Sequence, residues 1–290
     1  MRGWLEIPLP GLVFKGTAML KRIDQLPVIL TSFAYREEYF PELEGMVATI
    51  RDHHPDWHIL IGRGPVSDYN TPTLEVESPS STHGHWSLPV SLDFNNTQND
   101  WYRIAKMKGW WVAQVWHHFR GLVGSPNRVL WFDADGRLNG PLDFEVDPEV
   151  ETIAGVWWTD AGTPQHQHHI CGGLLLFQGG YGGTVHNVVD QWAAECIRSI
   201  TLSPVQSKYL PGPDTDQCLL TDVLRNDGNQ NLVLVKLPYE KYCGIPDRKD
   251  GTLKPGVLVA QRMMNEKMRA PEDRNRNWPP PETPRQQHAG

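Results

Sequence analysis

The apolar run at residues 27–33 ends in Thr31, Ser32 and Phe33, and predicts a buried strand that delivers a loop. Beyond it, residues 38–53 carry Phe40, Leu43, Met46, Val47 and Ile50 at helical spacing, and His54-Pro55 stops this helix before a second strand at 57–61. Strand, helix and strand in that order predict a parallel pair. Residues 62–96 are rich in Pro, Ser, Thr, Gly and His and predict a long loop carrying a short strand around 74–76. Asn99 or Asp100 caps a predicted helix reaching about Phe119, with Ile104, Met107, Trp111 and Val115 near one face. Residues 127–132 predict another buried strand, which runs directly into Asp133-Ala134-Asp135. Further strands are predicted at 152–158, 173–177 and 232–237, and helices at 184–199 and 214–224. The expected fold class is α/β, a mixed and mainly parallel central sheet flanked by helices.

Residues 1–26 carry weaker signals and read as a loosely attached N-terminal extension, with Met19 available as a second start. Residues 27–269 then read as a single folded domain, and the Pro- and Arg-rich residues 270–290 as a disordered tail. Composition narrows the function classes. A net charge of −7 argues against coating nucleic acid or anionic membrane by bulk electrostatics. Residues 261–290 hold six basic against four acidic side chains, a local +2 that leaves −9 for the rest. Cys171, Cys196, Cys218 and Cys243 lie far apart with no C-x-x-C pair, which speaks against a zinc ribbon or a disulfide framework and for a reducing cytoplasm. No stretch has the apolar length of a bilayer span, and Glu6, Pro8, Pro10 and Lys15 break up the N-terminal segment, so neither a membrane nor an export signal is expected. The sequon Asn95-Asn96-Thr97 is set aside on the same ground. No protein partner is predicted.

Asp133-Ala134-Asp135 is the segment with chemistry. Two carboxylates one residue apart, at the frayed end of a strand, present hard oxygen ligands suited to Mg²⁺ or Mn²⁺. An Asp-rich turn closing a core strand has the same look, so the surroundings matter. Small or acidic motifs follow at further loop positions, His169-Ile170-Cys171-Gly172-Gly173 before an apolar run and Pro213-Asp214-Thr215-Asp216-Gln217 at a helix start. In open α/β sheets, ligands collect at the C-terminal ends of the parallel strands.

With Leu130-Trp131-Phe132-Asp133-Ala134-Asp135, then Gly172-Gly173, then Asp214-Thr215-Asp216 in that order, the chain resembles the GT-A (Rossmann-like) nucleotide-sugar glycosyltransferases over roughly residues 27–240. The resemblance implies a Mn²⁺ or Mg²⁺ held by Asp135 and Asp133 against the diphosphate of a nucleotide sugar, with Asp133 also near the ribose. It implies that Thr31 and Ser32 line the nucleotide pocket, and that Arg36, Lys106 and Lys108 reach base or phosphate. Gly172 and Gly173 would let the sugar approach the backbone, or simply turn the chain into a strand. Asp216 or Asp214 would contact sugar hydroxyls or act as base, or cap the following helix. Many members of the family carry a late third ligand, often His; this chain offers Gln261 there, so the third ligand is unassigned. His166, His168 and His169 cluster beside the glycines, and Trp110-Trp111 and Trp157-Trp158 are candidate stacking residues.

The segments Val28–Phe40, Asn99-Asp100-Trp101-Tyr102, Lys108-Gly109-Trp110-Trp111 and Pro213–Gln217 further resemble viral and kinetoplastid-type enzymes that glucosylate hydroxymethylated pyrimidines in DNA. That resemblance implies UDP-glucose as donor and, as acceptor, a flipped 5-hydroxymethylcytosine or 5-hydroxymethyluracil, with the basic 262–276 segment and the 62–96 loop answering the acidic net charge. Transfer to a saccharide or protein hydroxyl is the rival within the same chemistry. A non-catalytic nucleotide-sugar binding module is the rival from another class. A nucleotidyltransferase is disfavoured because residues 31–38 contain no glycine-rich loop.

Overall fold

The structure, a computed structural model, describes residues 19–66, 73–78, 81–89, 98–119, 127–157, 169–202, 216–225, 232–244 and 255–261. In chain order its elements are β1 (Lys21–Arg22), β2 (Ile29–Tyr35), α1 (Phe40–His53), β3 (His58–Gly64), β4 (Thr73–Ser78), β5 (Ser81–Ser87), α2 (Gln98–His118) and β6 (Asn127–Phe132). They are followed by β7 (Gly136–Leu138), β8 (Glu145–Val146), β9 (Thr152–Trp157), β10 (Ile170–Gly179), α3 (Thr184–Leu202), α4 (Asp216–Leu224), β11 (Val233–Leu237), α5 (Tyr239–Tyr242) and β12 (Val259–Gln261).

Eight strands form one mixed sheet in the order β11-β9-β10-β6-β2-β3-β4-β5. The mixed α/β sheet flanked by helices expected from the sequence is the one observed, but it is not mainly parallel: three of its seven strand pairings are parallel and four antiparallel. Strand β2 runs parallel to both its neighbours, β3 and β6, as its helical crossovers require, and β11 runs parallel to β9. Antiparallel pairing takes up the rest, because β10 returns beside β6 and β9, and β4 and β5 extend the edge beyond β3. That hairpin occupies much of the 62–96 stretch read as a loop; its polar composition reflects an edge ribbon, where Glu75 and Glu77 are only half-buried.

Alternation along the central strands sends side chains into two cores. Ile29, Phe33, Val129, Trp131, Leu175 and Phe177 face Trp111, Trp116 and Trp192 of α2 and α3. Leu30, Ala34, Leu130, Phe132, Leu174 and Leu176 face Leu43, Met46 and Ile50 of α1. Both faces are covered, which is why the central strands read as continuous apolar runs. Residues 19–26 of the expected extension are described: β1 pairs with β8, and Ile23 is fully buried with its N–H donating to Phe144 O at 2.9 Å. Among the described residues, no helix is long and apolar enough to cross a membrane.

One buried histidine ties α1 to the loop after β7. Leu142 N–H donates to His54 Nε2 at 3.0 Å, and the ring stacks on Trp57 at 3.8 Å. Burial lowers the His54 pKa from 6.5 to about 4. The unfolded chain therefore takes up a proton that the folded protein refuses. Stability is expected to fall as pH drops from the unfolded value toward the folded one, by up to about 3 kcal/mol from this group. Urea unfolding of the wild type and His54→Gln between pH 7 and pH 4.5 checks this. The variant should show a shallower pH slope, and equal slopes would refute the assignment.

Candidate active site

Strand β6 ends at Phe132, and the chain turns through Asp133-Ala134-Asp135 into β7. Gly136 N–H donates to Asp133 O at 2.8 Å and closes this turn, while Asp133 N–H donates to Gly173 O at 3.0 Å and ties it to β10. The carboxylate turn and the glycine pair, far apart in sequence, are thus neighbours.

Lys108 joins them to a third segment. Its Nζ lies 2.9 Å from Asp133 Oδ1 and 3.0 Å from Asp216 Oδ2, and it donates to Gly172 O at 2.9 Å. The Asp216 contact is an ion pair rather than a well-directed hydrogen bond. Trp131 Nε1–H also donates to Asp133 Oδ1, at 2.8 Å, and the Lys108 ammonium lies 5.2 Å from the Trp131 ring centre. A Cβ at Gly172 would sit 2.8 Å from Lys108 Nζ and 2.9 Å from Asp216 Oδ2, so a side chain there would push the buried ammonium away. The glycine is what lets the ammonium reach the backbone. Trp192 Nε1–H donates to Asp216 O at 2.9 Å and fixes the first residue of α4.

The charges are unequally buried. Lys108 is 6% exposed and Asp216 3%. Burial opposes the ammonium, but the carboxylates of Asp133 and Asp216 outweigh it and hold Lys108 protonated above the ordinary lysine range. Burial raises the Asp216 pKa, with Lys108 as the main opposing influence. Removing the lysine would leave that carboxylate stranded.

Asp133 and Asp135 are both half-buried at the lip of the sheet. Lys108 and Trp131 engage one oxygen of Asp133; its second oxygen accepts no hydrogen bond among the described residues. Two carboxylates partly open to solvent fit a hard divalent cation, and the donor set is all oxygen. Strand β12 pairs with β7 so that Gln261 lies opposite Gly136, next in sequence to Asp135. The position read from the sequence as the missing third ligand is therefore brought to the turn by backbone pairing.

The remaining expected residues are placed as follows. Strand β2 continues to Tyr35, so Thr31 and Ser32 lie mid-strand rather than at its end, both fully buried. Thr31 Oγ1–H donates to Leu60 O at 2.9 Å and accepts from Trp111 Nε1–H at 2.7 Å, a core arrangement. Arg36, at the true end of β2, takes a positive φ of 99° and points a guanidinium nitrogen to within 3.8 Å of Glu38. Lys106, two residues from Lys108 and so on another face of α2, donates to Ser199 Oγ at 2.7 Å. Of the histidines, His169 Nδ1 lies 3.2 Å from Cys218 Sγ. Asp214, His166 and His168 lie outside the described residues. Trp110 and Trp111 are core residues.

A second group, His117, His186 and Asp190, brings ligand-type atoms within 4.8 Å of one another. It sits where α2 ends and α3 begins. Trp116 Nε1–H donates to His186 Nδ1 at 3.0 Å, so the neutral ring carries its proton on Nε2, facing Asp190 Oδ2 at 3.5 Å. An ion on that nitrogen would force a second N–H against the buried Trp116 indole, and the group is accounted for as a hydrogen-bond network.

The role of Lys108 as a bridge was missed by sequence reasoning. Its signal is a lysine inside Met107-Lys108-Gly109-Trp110-Trp111-Val112, where all six residues are buried. A charge in such a run needs a partner.

No protein-family model matches the chain, and no curated protein matches it. Among solved structures it is similar to a glycosyltransferase involved in the glycosylation of the major capsid of PBCV-1. That likeness has 12% identity and a TM-score of 0.45, and covers 81% of this chain and 93% of the other. At that level of likeness, only the side chains of the site itself carry chemistry.

Proposed function

We propose that the protein is a metal-dependent glycosyltransferase that moves a hexose from a nucleotide sugar, UDP-glucose in the first instance, to an acceptor hydroxyl. The observation that supports this reading is the convergence of Asp133, Asp216 and the Gly172 carbonyl on one buried ammonium, directly beside the half-buried Asp133-Ala134-Asp135 turn. Asp133 and Asp135 would hold Mn²⁺ or Mg²⁺, which supplies positive charge against the diphosphate leaving group. The protein's own part is orientation. Lys108 fixes the Asp133 carboxylate on one side and the start of α4 on the other, so the acceptor atoms of Asp216 and Gly172 are preorganised for donor hydroxyls. Asp216, 3% exposed and paired with Lys108, is better suited to holding the donor sugar than to meeting an incoming acceptor.

Acceptor choice is an arm of the test. The segment 262–276, invoked for DNA, lies outside the described residues. Labelled UDP-glucose with Mn²⁺ or with EDTA, offered DNA containing hydroxymethylcytosine, DNA containing hydroxymethyluracil, unmodified DNA and a saccharide panel, separates the cases. Donor cleavage or transfer should require the metal, and label on one acceptor identifies the class. Donor bound but never consumed would indicate a binding module, and equal turnover in EDTA would refute the metal role.

A further inference from the structure

Glycine in the interior of a helix gives up stability that alanine would supply, so a mid-helix glycine needs a reason. Gly45 of α1 has one in Arg137: a Cβ there would lie 2.4 Å from Arg137 Nη2 and 2.8 Å from its Cζ. The guanidinium is seated against the helix backbone at the place where a side chain is missing. One turn earlier on α1, Glu42 Oε2 accepts from Arg137 Nη2 at 2.8 Å. One turn later, Thr49 Oγ1 accepts from Leu138 N–H at 3.1 Å. Glu42, Gly45 and Thr49 form one stripe of the helix, and β7 lies along it.

The other side of the guanidinium grips the carboxylate turn. Arg137 Nη1 donates to Gly136 O at 2.7 Å and to Ala134 O at 3.3 Å, the carbonyls on either side of Asp135. Arg137 is 8% exposed, and its Glu42 partner is also mostly buried. We infer that Arg137, seated on α1 by Glu42 and Gly45, is a positioning residue that sets the path of the backbone carrying Asp135 and so the placement of its carboxylate. This inference rests on the proposed metal role of Asp133 and Asp135 and adds the device that aims them. Arg137 acts through the backbone of the turn. Arginine suits the task because its planar fork serves two carbonyls and one carboxylate at once, which a lysine ammonium does not reproduce.

The test is Mn²⁺ affinity in the presence of UDP, read by electron paramagnetic resonance, alongside thermal unfolding, for wild type, Arg137→Lys, Gly45→Ala, Glu42→Gln and Asp135→Asn. At a temperature where circular dichroism shows each variant folded, Arg137→Lys and Gly45→Ala should each weaken Mn²⁺ binding by about tenfold, the scale on which outer-shell partners act. Glu42→Gln keeps an acceptor for the guanidinium and should stay within about threefold of wild type, a smaller loss than that outer-shell scale. A merely structural role would move the unfolding temperature and leave the affinity of the folded protein unchanged. Should Arg137→Lys fail to fold, Gly45→Ala decides, because it alters only the seat of the guanidinium. Unchanged affinity in Gly45→Ala, with binding lost in Asp135→Asn, overturns the positioning role while sparing the metal site. Wild-type binding that ignores Asp135→Asn overturns both.

Discussion

Asp135→Asn is expected to cut metal-dependent turnover by at least about a hundredfold, the loss typical of removing one charge-stabilising group from a preorganised site. The substitution keeps the size and one neutral oxygen, and it acts at a half-buried turn position. The variant should therefore remain folded, so that its loss of turnover is read directly on the folded protein. Asp133→Asn differs, since Asp133 is also a partner of Lys108. It should lose both turnover and stability. Initial rates at saturating donor, with urea unfolding on the same preparations, separate the two variants. A stable Asp135→Asn protein with wild-type turnover would leave the acidic turn without a catalytic role.

Lys108→Met is expected to give the largest loss of stability among the site variants. It removes the ammonium from between Asp133 and Asp216 and leaves Asp216 buried without a cation. Breaking a buried pair in this way costs about 3–5 kcal/mol. The pH dependence has a definite sign. Burial already raises the Asp216 pKa, and loss of the main opposing influence raises it further. A carboxyl with a raised folded pKa favours the folded state at low pH and loses that advantage as pH rises toward the folded value. Lys108→Met should therefore be least destabilised near pH 5 and most destabilised near pH 8. Adding Asp216→Asn removes the stranded charge, so the double variant should recover much of the loss, and the coupling can be read from a double-mutant cycle. Equal stability of Lys108→Met and its double variant would show that the buried pair is not the governing interaction.

How much of this was legible in the sequence depends on whether a signal is local or long-range. The strands β2, β3 and β6 and the helices α1, α2 and α3 follow from runs and periodicities within one element, and they sit near their expected places. The Asp133–Asp135 turn could be read for the same reason, because both carboxylates and their strand share the nine residues 127–135. Thr31 and Ser32 look like a strand end in sequence because small polar residues resemble a loop approach. Instead Leu60 O and Trp111 satisfy Thr31 inside the sheet, and the strand continues to Tyr35. Within the hairpin, β4 covers the short strand expected around residues 74–76, whereas β5 is hard to read because an edge ribbon tolerates polar residues such as His85 and Ser87 at exposed positions. Lys108 and Arg137 show the opposite difficulty. Each is an ordinary basic residue in sequence, and each takes its meaning from partners 64 to 108 residues or about 95 residues away, Gly172 and Asp216 for one and Glu42 for the other. Only folding brings those partners together.

The central claim is most directly tested by locating Mn²⁺ on the wild-type protein by anomalous diffraction from crystals grown with Mn²⁺ and UDP. The account predicts an anomalous peak between the carboxylates of Asp133 and Asp135, on the side of the turn away from Lys108. A peak at His117, His186 and Asp190 with the acidic turn empty, or no ordered ion beside a bound UDP, would contradict it.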